Sequence, residues 1–329
     1  MGNTAFRDLA DIEEIELDDL QGSLVAVDAS NWLYKYLYNV VKFNQKSLYT
    51  TTDGERRPNL VGTIVGLNKF FENNITPVFV FDGAPHKLKA KEIAQRRGKR
   101  DEAAKEQKQA RKDGDLIAAS NYEARSIHLD SGIIDTTKEL LELLDIPYVT
   151  APQAAEAYAA QLTTAGYTQS VVSDDYDTIM FGAPRTVRNF TSSTRPLELI
   201  DFEKTLSKHE ITHRQLIEVA LLCGTDYNDG VYGIGPKTGV KYIKEHETLE
   251  QVLEEKEETI ENYETVRGIF FSEAAEKVDE LKIDTTISPD FEAAYEYLFD
   301  ENGLHSKKLD SAFDKLKTFF EQPSLDMWA

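Results

Sequence analysis

Acidic side chains follow several apolar runs of the sequence, at the points where those runs end. Three runs, at 24–27, 78–81 and 171–173, lead into such acids. The acids are Asp28, Asp82 and the pair formed by Asp175 and Asp177. A single Asp after a strand is usually a helix cap or a turn residue. Three such endings, one of them with an Asp-x-Asp pair, predict a shared cluster of carboxylates instead.

Two more acids are expected to reach the same cluster. Glu156 lies near the first turn of an alanine-rich helical segment, and Asp226 follows an apolar helix predicted at about 215–223. An acid in a first turn also has a purely structural explanation, because it interacts favourably with the helix dipole by about 0.3 to 1 kcal/mol. An acid beyond a helix end is electrostatically unfavourable without a cation. Asp226 therefore indicates a cation close by.

The chemistry that such a cluster favours is metal binding. Crowded carboxylates repel each other and raise each other's pKa values, and hard cations such as Mg²⁺ relieve this repulsion while preferring oxygen ligands. The six histidines are dispersed, which argues against a zinc site. The pattern therefore predicts an oxygen-ligand site for two divalent metal ions that performs phosphoryl chemistry.

The elements that would position these acids are apolar runs that alternate with longer helical patterns. This alternation predicts an α/β fold with a mainly parallel central sheet flanked by helices. In open α/β sheets the ligand crevice lies beyond the carboxyl ends of the strands, so acids that are distant in sequence would meet there. A chain of 329 residues with 41% hydrophobic content allows one domain or two, and we expect one domain with insertions.

The net charge of -21 argues against a nucleic-acid partner, because binding to phosphate normally needs a basic surface. The segment 87–100 is an exception, since it holds seven cations and one acid, Glu92, for a local charge of +6. A solvated helix face is the alternative explanation of such a run, but solvated faces usually carry mixed charges. We interpret the acid excess elsewhere as adaptation to a salty cytoplasm, where a Debye length of about 3 Å at about 1 M salt screens repulsion from DNA.

The single cysteine, Cys223, excludes a disulfide framework and a cysteine zinc site, and it fits a reducing interior. The chain opens without a charged and apolar leader, and no apolar run reaches about 18 residues. We therefore expect a soluble intracellular protein without a membrane partner.

A glycine-rich turn after Asp226 predicts a second element that binds DNA. Gly233 and Gly235 precede Pro236 and Lys237, and a helical pattern follows them. Glycines of this kind let backbone amides approach phosphate at a helix N-terminus. The segment is therefore typical of a helix-hairpin-helix turn.

The order and spacing of these motifs resemble the archaeal flap endonucleases, an XPG-type family of structure-specific 5′ nucleases, with a haloarchaeal character. The matching segments are 27–29, 81–83, 151–156, 173–177 and 224–237. The resemblance implies a PIN-like 5′ nuclease fold with a helical arch and a helix-two-turn-helix element that grips duplex DNA. It implies cleavage of 5′ flaps, with 5′–3′ exonuclease activity, in Okazaki fragment maturation and DNA repair. Nicked or gapped duplexes would be bound as well.

The same resemblance implies boundaries within the chain. A single nuclease domain would cover residues 1–321, followed by a tail at 322–329. Within the domain, the resemblance divides the chain into an N-terminal part at about 1–110, an arch at about 87–130, an internal part at about 135–270 and a helix-hairpin-helix region at 215–246. A monomer in the prokaryotic cytosol, associated with the nucleoid, is the family expectation.

Carried over to this sequence, the resemblance assigns six acids to two Mg²⁺ ions, for which Mn²⁺ would be a substitute. The ligands on one side of the metal pair would be Asp28, Asp82 and Glu156, and those on the other side Asp175, Asp177 and Asp226. Lys89 and Arg96 would be the catalytic cations, seven residues apart on one helical face, where they contact the scissile phosphate and stabilise charge in the transition state.

Other residues are assigned to DNA by the resemblance. Tyr34 matches the family's stacking aromatic, although a core aromatic on an amphipathic helix is equally compatible with its position. Gly233, Gly235 and Lys237 would bind the duplex backbone downstream of the cut, where the family also places a monovalent cation.

One position departs from the family pattern. The family's helix carries two glutamates two residues apart, whereas here the first of them is Ala154 and the second is Glu156. Losing a supporting group at a metal site typically costs about 10- to 100-fold in affinity or activity. Asp174 is a candidate to compensate, although alternation along an extended segment would point it away from Asp175. We therefore expect slower cleavage or a higher metal requirement.

The C-terminal residues predict a protein partner. Gln322, Leu325 and Trp328 match the three-residue steps of a peptide that binds a sliding clamp (PCNA), and Ala329 stands where a second aromatic is expected.

Two functions are compatible with the whole pattern. The first is a metal-dependent flap endonuclease. The alternative is a non-catalytic or weakly catalytic protein that binds DNA junctions and the clamp through a degenerate metal site, with Ala154 as the first sign of decay.

Overall fold

The computed structural model describes residues 4–43, 46–272 and 283–321. Its strands in chain order are β1 (Ile12–Ile15), β2 (Leu24–Asp28), β3 (Thr76–Phe81), β4 (Tyr148–Thr150), β5 (Ser170–Val172), β6 (Arg185–Arg188) and β7 (Leu197–Asp201). These strands form one sheet with the order β1-β7-β6-β5-β2-β3-β4.

Five neighbouring strands, from β6 through β5, β2 and β3 to β4, are parallel, and β7 pairs antiparallel with both β6 and β1. The predicted α/β fold with a mainly parallel sheet is therefore confirmed. The three strands that lead into the predicted acids, β5, β2 and β3, lie side by side. Val27 of β2 pairs with Phe79 on one side and with Val172 on the other, so the carboxyl ends of the three strands are nearly level.

Helices connect these strands. The α-helices up to the middle of the chain are α1 (Ala29–Phe43), α2 (Pro58–Phe71), α3 (Ala90–Lys112), α4 (Leu116–Arg125), α5 (Ser131–Leu143), α6 (Ala155–Thr164) and α7 (Asp177–Met180). Those that follow are α8 (Phe202–His209), α9 (His213–Cys223), α10 (Pro236–His246), α11 (Leu249–Lys256), α12 (Tyr263–Ser272), α13 (Phe291–Tyr295) and α14 (Lys307–Glu321). Within the described ranges, no helix has the length and apolar character needed to cross a membrane.

The sheet is a middle layer between two hydrophobic cores, because successive side chains of a strand point to opposite faces. Val25 and Val27 of β2 belong to a core that also contains apolar residues of α1, α2, α5 and α14. Ala26, between them, belongs to the other core, together with residues of α6, α9 and α12. Helices on both faces explain why the central strands are apolar on both sides, and they leave the strand ends as the accessible edge.

Helices α3 and α4 pack against each other, and α4 also packs against α1. At that contact the Ser120 hydroxyl donates to the carbonyl of Lys42 at 3.3 Å. The buried residues of α3 are two alanines, Ala103 and Ala110, so this long helix gains little stabilisation from apolar burial. The two helices occupy the range in which the family resemblance predicts an arch, and that assignment stays a prediction.

Candidate functional site

Asp28 is the last residue of β2, and its side chain is buried at the carboxyl end of the sheet, where the sequence predicts the crevice. Its carboxylate accepts hydrogen bonds from the backbone N–H of Asn31 and from the Ser173 hydroxyl, each at 3.0 Å. Burial raises the pKa of Asp28 well above its ordinary value, and the nearby charges of Glu156 and Asp82 raise it further. Asp28 therefore lies close enough to both acids to be repelled by them.

Asp82 follows β3 and links two helices. Its Oδ1 accepts from the backbone N–H of Ala155 at 3.0 Å, and its Oδ2 accepts from the Ser30 hydroxyl at 2.5 Å. Ala154 is the N-cap residue of α6 and has no side chain that could accept such a bond. Asp82 therefore satisfies a free amide at the start of α6 that capping residues usually satisfy.

Glu156 lies in the first turn of α6, as the sequence predicted. Burial raises the pKa of its carboxyl, the positive charge of Lys89 opposes this change, and the charges of Asp82 and Asp175 add to it. The net effect is a raised pKa. Glu156 therefore belongs to the same group of mutually repelling acids as Asp28 and Asp82.

Asp175 and Asp177 follow β5 and are both buried. The backbone N–H of Asp175 donates to the Ser173 hydroxyl, and the N–H of Asp177 donates to the Asp175 carboxylate, each at 3.1 Å. Oδ1 of Asp177 is buried without a hydrogen-bond partner among the described residues. Burial raises the pKa of Asp177 well above its ordinary value, and the charges of Asp175 and Asp226 contribute to the shift.

Two cations from the basic segment lie among these acids. Nζ of Lys89 is 3.4 Å from Oε1 of Glu156, and Nη2 of Arg96 is 2.8 Å from Oδ2 of Asp226. The Lys89 ammonium also lies over the ring of Tyr227, 5.0 Å from its centroid. Burial lowers the pKa of Lys89, but the negative charges around it, with Glu156 first, outweigh burial and raise the pKa well above its ordinary value.

The structure thus brings the six predicted ligands and both predicted catalytic cations to one crevice at the ends of β2, β3 and β5. In the described part of the chain, no group of three or more Asp, Glu, His or Cys side chains is arranged so that it could hold one ion. The donor chemistry nevertheless fits hard divalent cations, because every candidate is a carboxylate. The buried and unpartnered oxygen of Asp177 and the raised pKa values of Asp28 and Glu156 point in the same direction.

Asp174 does not face this cluster in the way that a compensating ligand would. Its Oδ2 forms an ion pair with Nζ of Lys35 at 2.9 Å, and its Oδ1 accepts from the backbone N–H of Asn189 at 2.7 Å. Burial raises the pKa of Asp174, but Lys35 and the bond from Asn189 lower it below its ordinary value. Both oxygens are therefore engaged, as alternation with Asp175 predicts.

Tyr34 lies on α1 and is half-buried. Burial raises the pKa of its hydroxyl, while the positive charges of Arg100 in α3 and Arg125 in α4 lower it to a smaller extent. Tyr34 is therefore close enough to α3 and α4 for their positive charges to act on its hydroxyl. The stacking role remains a prediction.

The predicted glycine turn precedes α10. Gly233 has a φ of +81°, a left-handed conformation that favours glycine. Gly235 is the N-cap residue of α10, no side chain caps this end, and Pro236 is its first residue. Among the residues that the structure describes, none lies within 4 Å of a Cβ atom placed at position 233 or 235, so the backbone here leaves room for a ligand. Nζ of Lys237 forms an exposed ion pair with Asp8 at 2.9 Å.

The sequence analysis missed a second cluster of charges, centred on Glu123 of α4. Its Oε1 is 2.8 Å from Nζ of Lys46 and 2.6 Å from Nη1 of Arg56, and its Oε2 is 2.8 Å from Nη2 of Arg111. Glu123 is buried, and these partners hold its pKa below the ordinary value despite the opposing effect of burial. No local pattern distinguishes Glu123, because its partners come from separate segments.

The predicted clamp-binding residues Gln322, Leu325 and Trp328 lie outside the described residues.

Comparison with known proteins agrees with this arrangement. The chain matches the XPG N-terminal domain over residues 3–103 and the XPG I-region over residues 145–226, and these two regions contain all six candidate ligands and both candidate cations. It is 44% identical over 328 residues to Flap endonuclease 1 of Haloquadratum walsbyi and 43% identical over 329 residues to that of Haloarcula marismortui, with 100% of both chains covered in each case. The structure of flap endonuclease-1 from Methanococcus jannaschii matches with a TM-score of 0.73 at 34% identity, over 96% of this chain and 98% of that one. The chain therefore belongs to the XPG family and, within it, to the archaeal flap endonucleases.

Proposed function

We propose that this protein is a structure-specific 5′-flap endonuclease with 5′–3′ exonuclease activity, and that it hydrolyses DNA phosphodiesters by a two-metal mechanism. Family membership already makes it a nuclease that acts on DNA. The observation that carries the finer proposal is the crevice beyond β2, β3 and β5, where buried carboxylates from distant segments meet two cations. Okazaki fragment maturation and DNA repair are the processes that we propose for it.

The metals that we propose are two Mg²⁺ ions, with Mn²⁺ as a substitute. The residues that would hold them are Asp28, Asp82, Glu156, Asp175, Asp177 and Asp226. When bound, such ions lower the pKa of a coordinated water and stabilise negative charge on the phosphoryl oxygens. The raised pKa values of Asp28, Glu156 and Asp177 support this proposal, because a divalent cation would favour their ionised forms.

Lys89 and Arg96 would contact the scissile phosphate. Each now forms an ion pair with a carboxylate of the crevice, Glu156 and Asp226 respectively. Phosphate offers the same kind of anionic oxygen, so the two side chains can exchange one partner for the other with small movements. Positive charge placed beside the phosphate would stabilise the charge that develops in the transition state.

The remaining DNA contacts belong to the same proposal. Tyr34 would stack against the substrate beneath an arch formed by α3 and α4. Gly233, Gly235 and Lys237 would bind the backbone of the duplex, together with a monovalent cation. The open backbone at the start of α10 supports this role, because amides at a helix N-terminus favour phosphate.

We further propose a monomer in the prokaryotic cytosol that comprises one nuclease domain over residues 1–321 and docks on a sliding clamp through residues 322–329. The motif Gln322, Leu325 and Trp328 supports the clamp partner. A short tethered peptide of this kind would raise the local concentration of the enzyme at its substrate.

A labelled 5′-flap duplex tests the proposal. We expect cleavage near the junction with Mg²⁺ and none with chelator. Asp177→Asn should abolish cleavage and retain binding, because it removes a ligand without changing the shape of the site. Binding without cleavage by the unaltered protein at every metal concentration would favour the alternative function, in which a degenerate site binds junctions without cutting them.

A further inference from the structure

Asp174 uses all of its polar groups in contacts that leave the acid cluster. Its carboxylate binds Lys35 at 2.9 Å and the N–H of Asn189 at 2.7 Å. Its backbone N–H donates to Oδ1 of Asn31 at 3.3 Å. Its carbonyl accepts from Nη2 and Nε of Arg188 at 3.0 and 3.3 Å. One residue therefore holds four connections at the start of the turn that carries two candidate ligands.

These connections reach two different elements. Asn31 and Lys35 lie on α1, the helix that directly follows Asp28. Arg188 is the last residue of β6, which lies on the other side of β5 in the sheet. The turn after β5 is thus fastened from both sides at Asp174. Asp175 and Asp177 come directly after this fixed point, and their buried carboxylates lie in the crevice.

Arg188 is itself held by a network whose inner members are buried. Its guanidinium lies 3.8 Å from the ring centroid of Tyr176, donates to the Tyr176 hydroxyl and binds Oε2 of Glu198 at 2.9 Å. Glu198 in turn binds Nη2 of Arg7 at 2.7 Å. Because Tyr176 separates Asp175 from Asp177, this packing fixes the turn at its middle as well as at its start. A hydrogen-bonded network of this kind tolerates little displacement.

We propose that Asp174 is a positioning residue, which together with Lys35 orients the turn so that Asp175 and Asp177 present their carboxylates to divalent metal. This inference rests on the proposed metal site and deepens it. Lys35 of α1 neutralises the charge of Asp174. Asp174 can therefore orient the turn without adding to the repulsion among the carboxylates of the crevice. Groups behind a metal ligand commonly affect metal affinity by about 10- to 100-fold.

Metal affinity of variants distinguishes positioning from direct ligation. Calorimetric titration of the full chain with Mn²⁺, without DNA, should show about 10-fold weaker binding for Asp174→Ala. Lys35→Gln should also weaken binding, and Lys35→Arg should restore it, because the effect of Lys35 passes through Asp174. If Asp174 were a ligand, Lys35→Gln would leave affinity unchanged or tighten it, since it removes a competing cation. That result would overturn the proposal.

A surface ion pair supplies the matched control. Lys204 pairs with Glu13 at 3.5 Å, and both side chains are exposed. Lys204→Gln therefore removes a similar charge far from the crevice and should not change Mn²⁺ affinity. Thermal unfolding in chelator checks that each variant is folded, and if Asp174→Ala fails to fold, the two Lys35 variants decide the question.

Mn²⁺ titration and flap cleavage together distinguish an error in the role of Asp174 from an error in the proposed function. If the unaltered protein binds Mn²⁺ but never cleaves a flap duplex, the proposed activity is wrong and the titrations still judge the role of Asp174. If it cleaves the duplex while Lys35→Gln binds Mn²⁺ unchanged or more tightly, the activity stands and the positioning role is wrong.

Discussion

The ammonium group of Lys89 lies 3.4 Å from a carboxylate oxygen of Glu156, and both side chains are largely enclosed. The negative charge of Glu156 raises the pKa of Lys89, and the positive charge of Lys89 opposes the rise that burial causes in the pKa of Glu156. Lys89 comes from the segment before α3 and Glu156 from the first turn of α6. Their contact joins the basic segment, which the sequence marks as a site for DNA, to the acid cluster, which it marks as a site for metal. The two halves of the predicted chemistry thus meet in one crevice.

Replacing Lys89 by Met should reduce cleavage by about 10²- to 10³-fold, the size expected when one group that stabilises transition-state charge is lost. Affinity for the flap duplex should change much less. Single-turnover cleavage and fluorescence anisotropy measure the two quantities. Lys91→Met is the control, because its pair with Asp229 is exposed and such pairs contribute about 0 to 1 kcal/mol. Equal losses in both variants would argue against a specific role for Lys89.

Replacing Ala154 by Glu should lower the Mg²⁺ concentration that gives half-maximal cleavage, by about 10-fold, or raise the cleavage rate. The new carboxylate would enter next to Glu156 at the start of α6, where the helix dipole favours an acid. Ala154→Gln is the control of similar size without the charge. No change in either rate or Mg²⁺ requirement would show that the missing glutamate is immaterial here.

Asp177 should make the stability of the metal-free protein depend on pH. Its raised pKa means that the folded state keeps this proton to a higher pH than the unfolded state does. The resulting stabilisation is complete below the unfolded pKa of about 4 and is lost as the pH rises through the folded pKa. In chelator, the Tm of Asp177→Asn relative to that of the unaltered protein should therefore increase as the pH rises above about 4.

Burial lowers the pKa of His213, which also affects stability in this range, but both proteins share that group and the comparison cancels it. Added Mg²⁺ should stabilise the unaltered protein more than Asp177→Asn. A Tm difference that is constant with pH would mean that the Asp177 carboxyl is not the source of the dependence.

Replacing Glu123 by Gln should destabilise the fold by about 1 to 3 kcal/mol, because three cations lose their shared anionic acceptor. The cations are partly exposed and can regain water, which limits the cost. Urea unfolding measures the change. Glu106→Gln, at an exposed position on α3, is the control and should stay within about 0.5 kcal/mol. An equal effect of the two substitutions would mean that Glu123 does not fasten α3 and α4 to the rest of the protein.

Deleting residues 322–329 should abolish binding to the sliding clamp and leave cleavage of a flap duplex unchanged. The motif residues Gln322, Leu325 and Trp328 are lost together, whereas the candidate active-site residues remain. Surface plasmon resonance with immobilised clamp measures the first effect. Replacing Trp328 by Ala should reproduce most of it. Clamp affinity that survives the deletion would place the contact elsewhere in the chain.

The sequence by itself determined the fold class and the identity of the acids at the strand ends. The apolar run at 24–27 predicted a buried strand followed by Asp28, and β2 is a strand there that ends at Asp28. Local patterns of this kind reflect local preferences, so they can be recognised without knowledge of the fold. The glycine turn before α10 could also be predicted from the sequence, because its left-handed backbone conformation favours glycine and the chain has Gly233 at that position.

Only the tertiary structure decided which groups meet. Alternation along the chain suggested that Asp174 points away from Asp175, but its partners Lys35 and Asn189 come from other elements of the fold. The bond from Ala155 to Asp82, and the charges around Glu123, depend in the same way on segments that are distant in sequence. Hydrogen bonds and ion pairs act over a few ångströms, so they follow from how strands and helices are packed, and a linear pattern of residue types does not specify that packing.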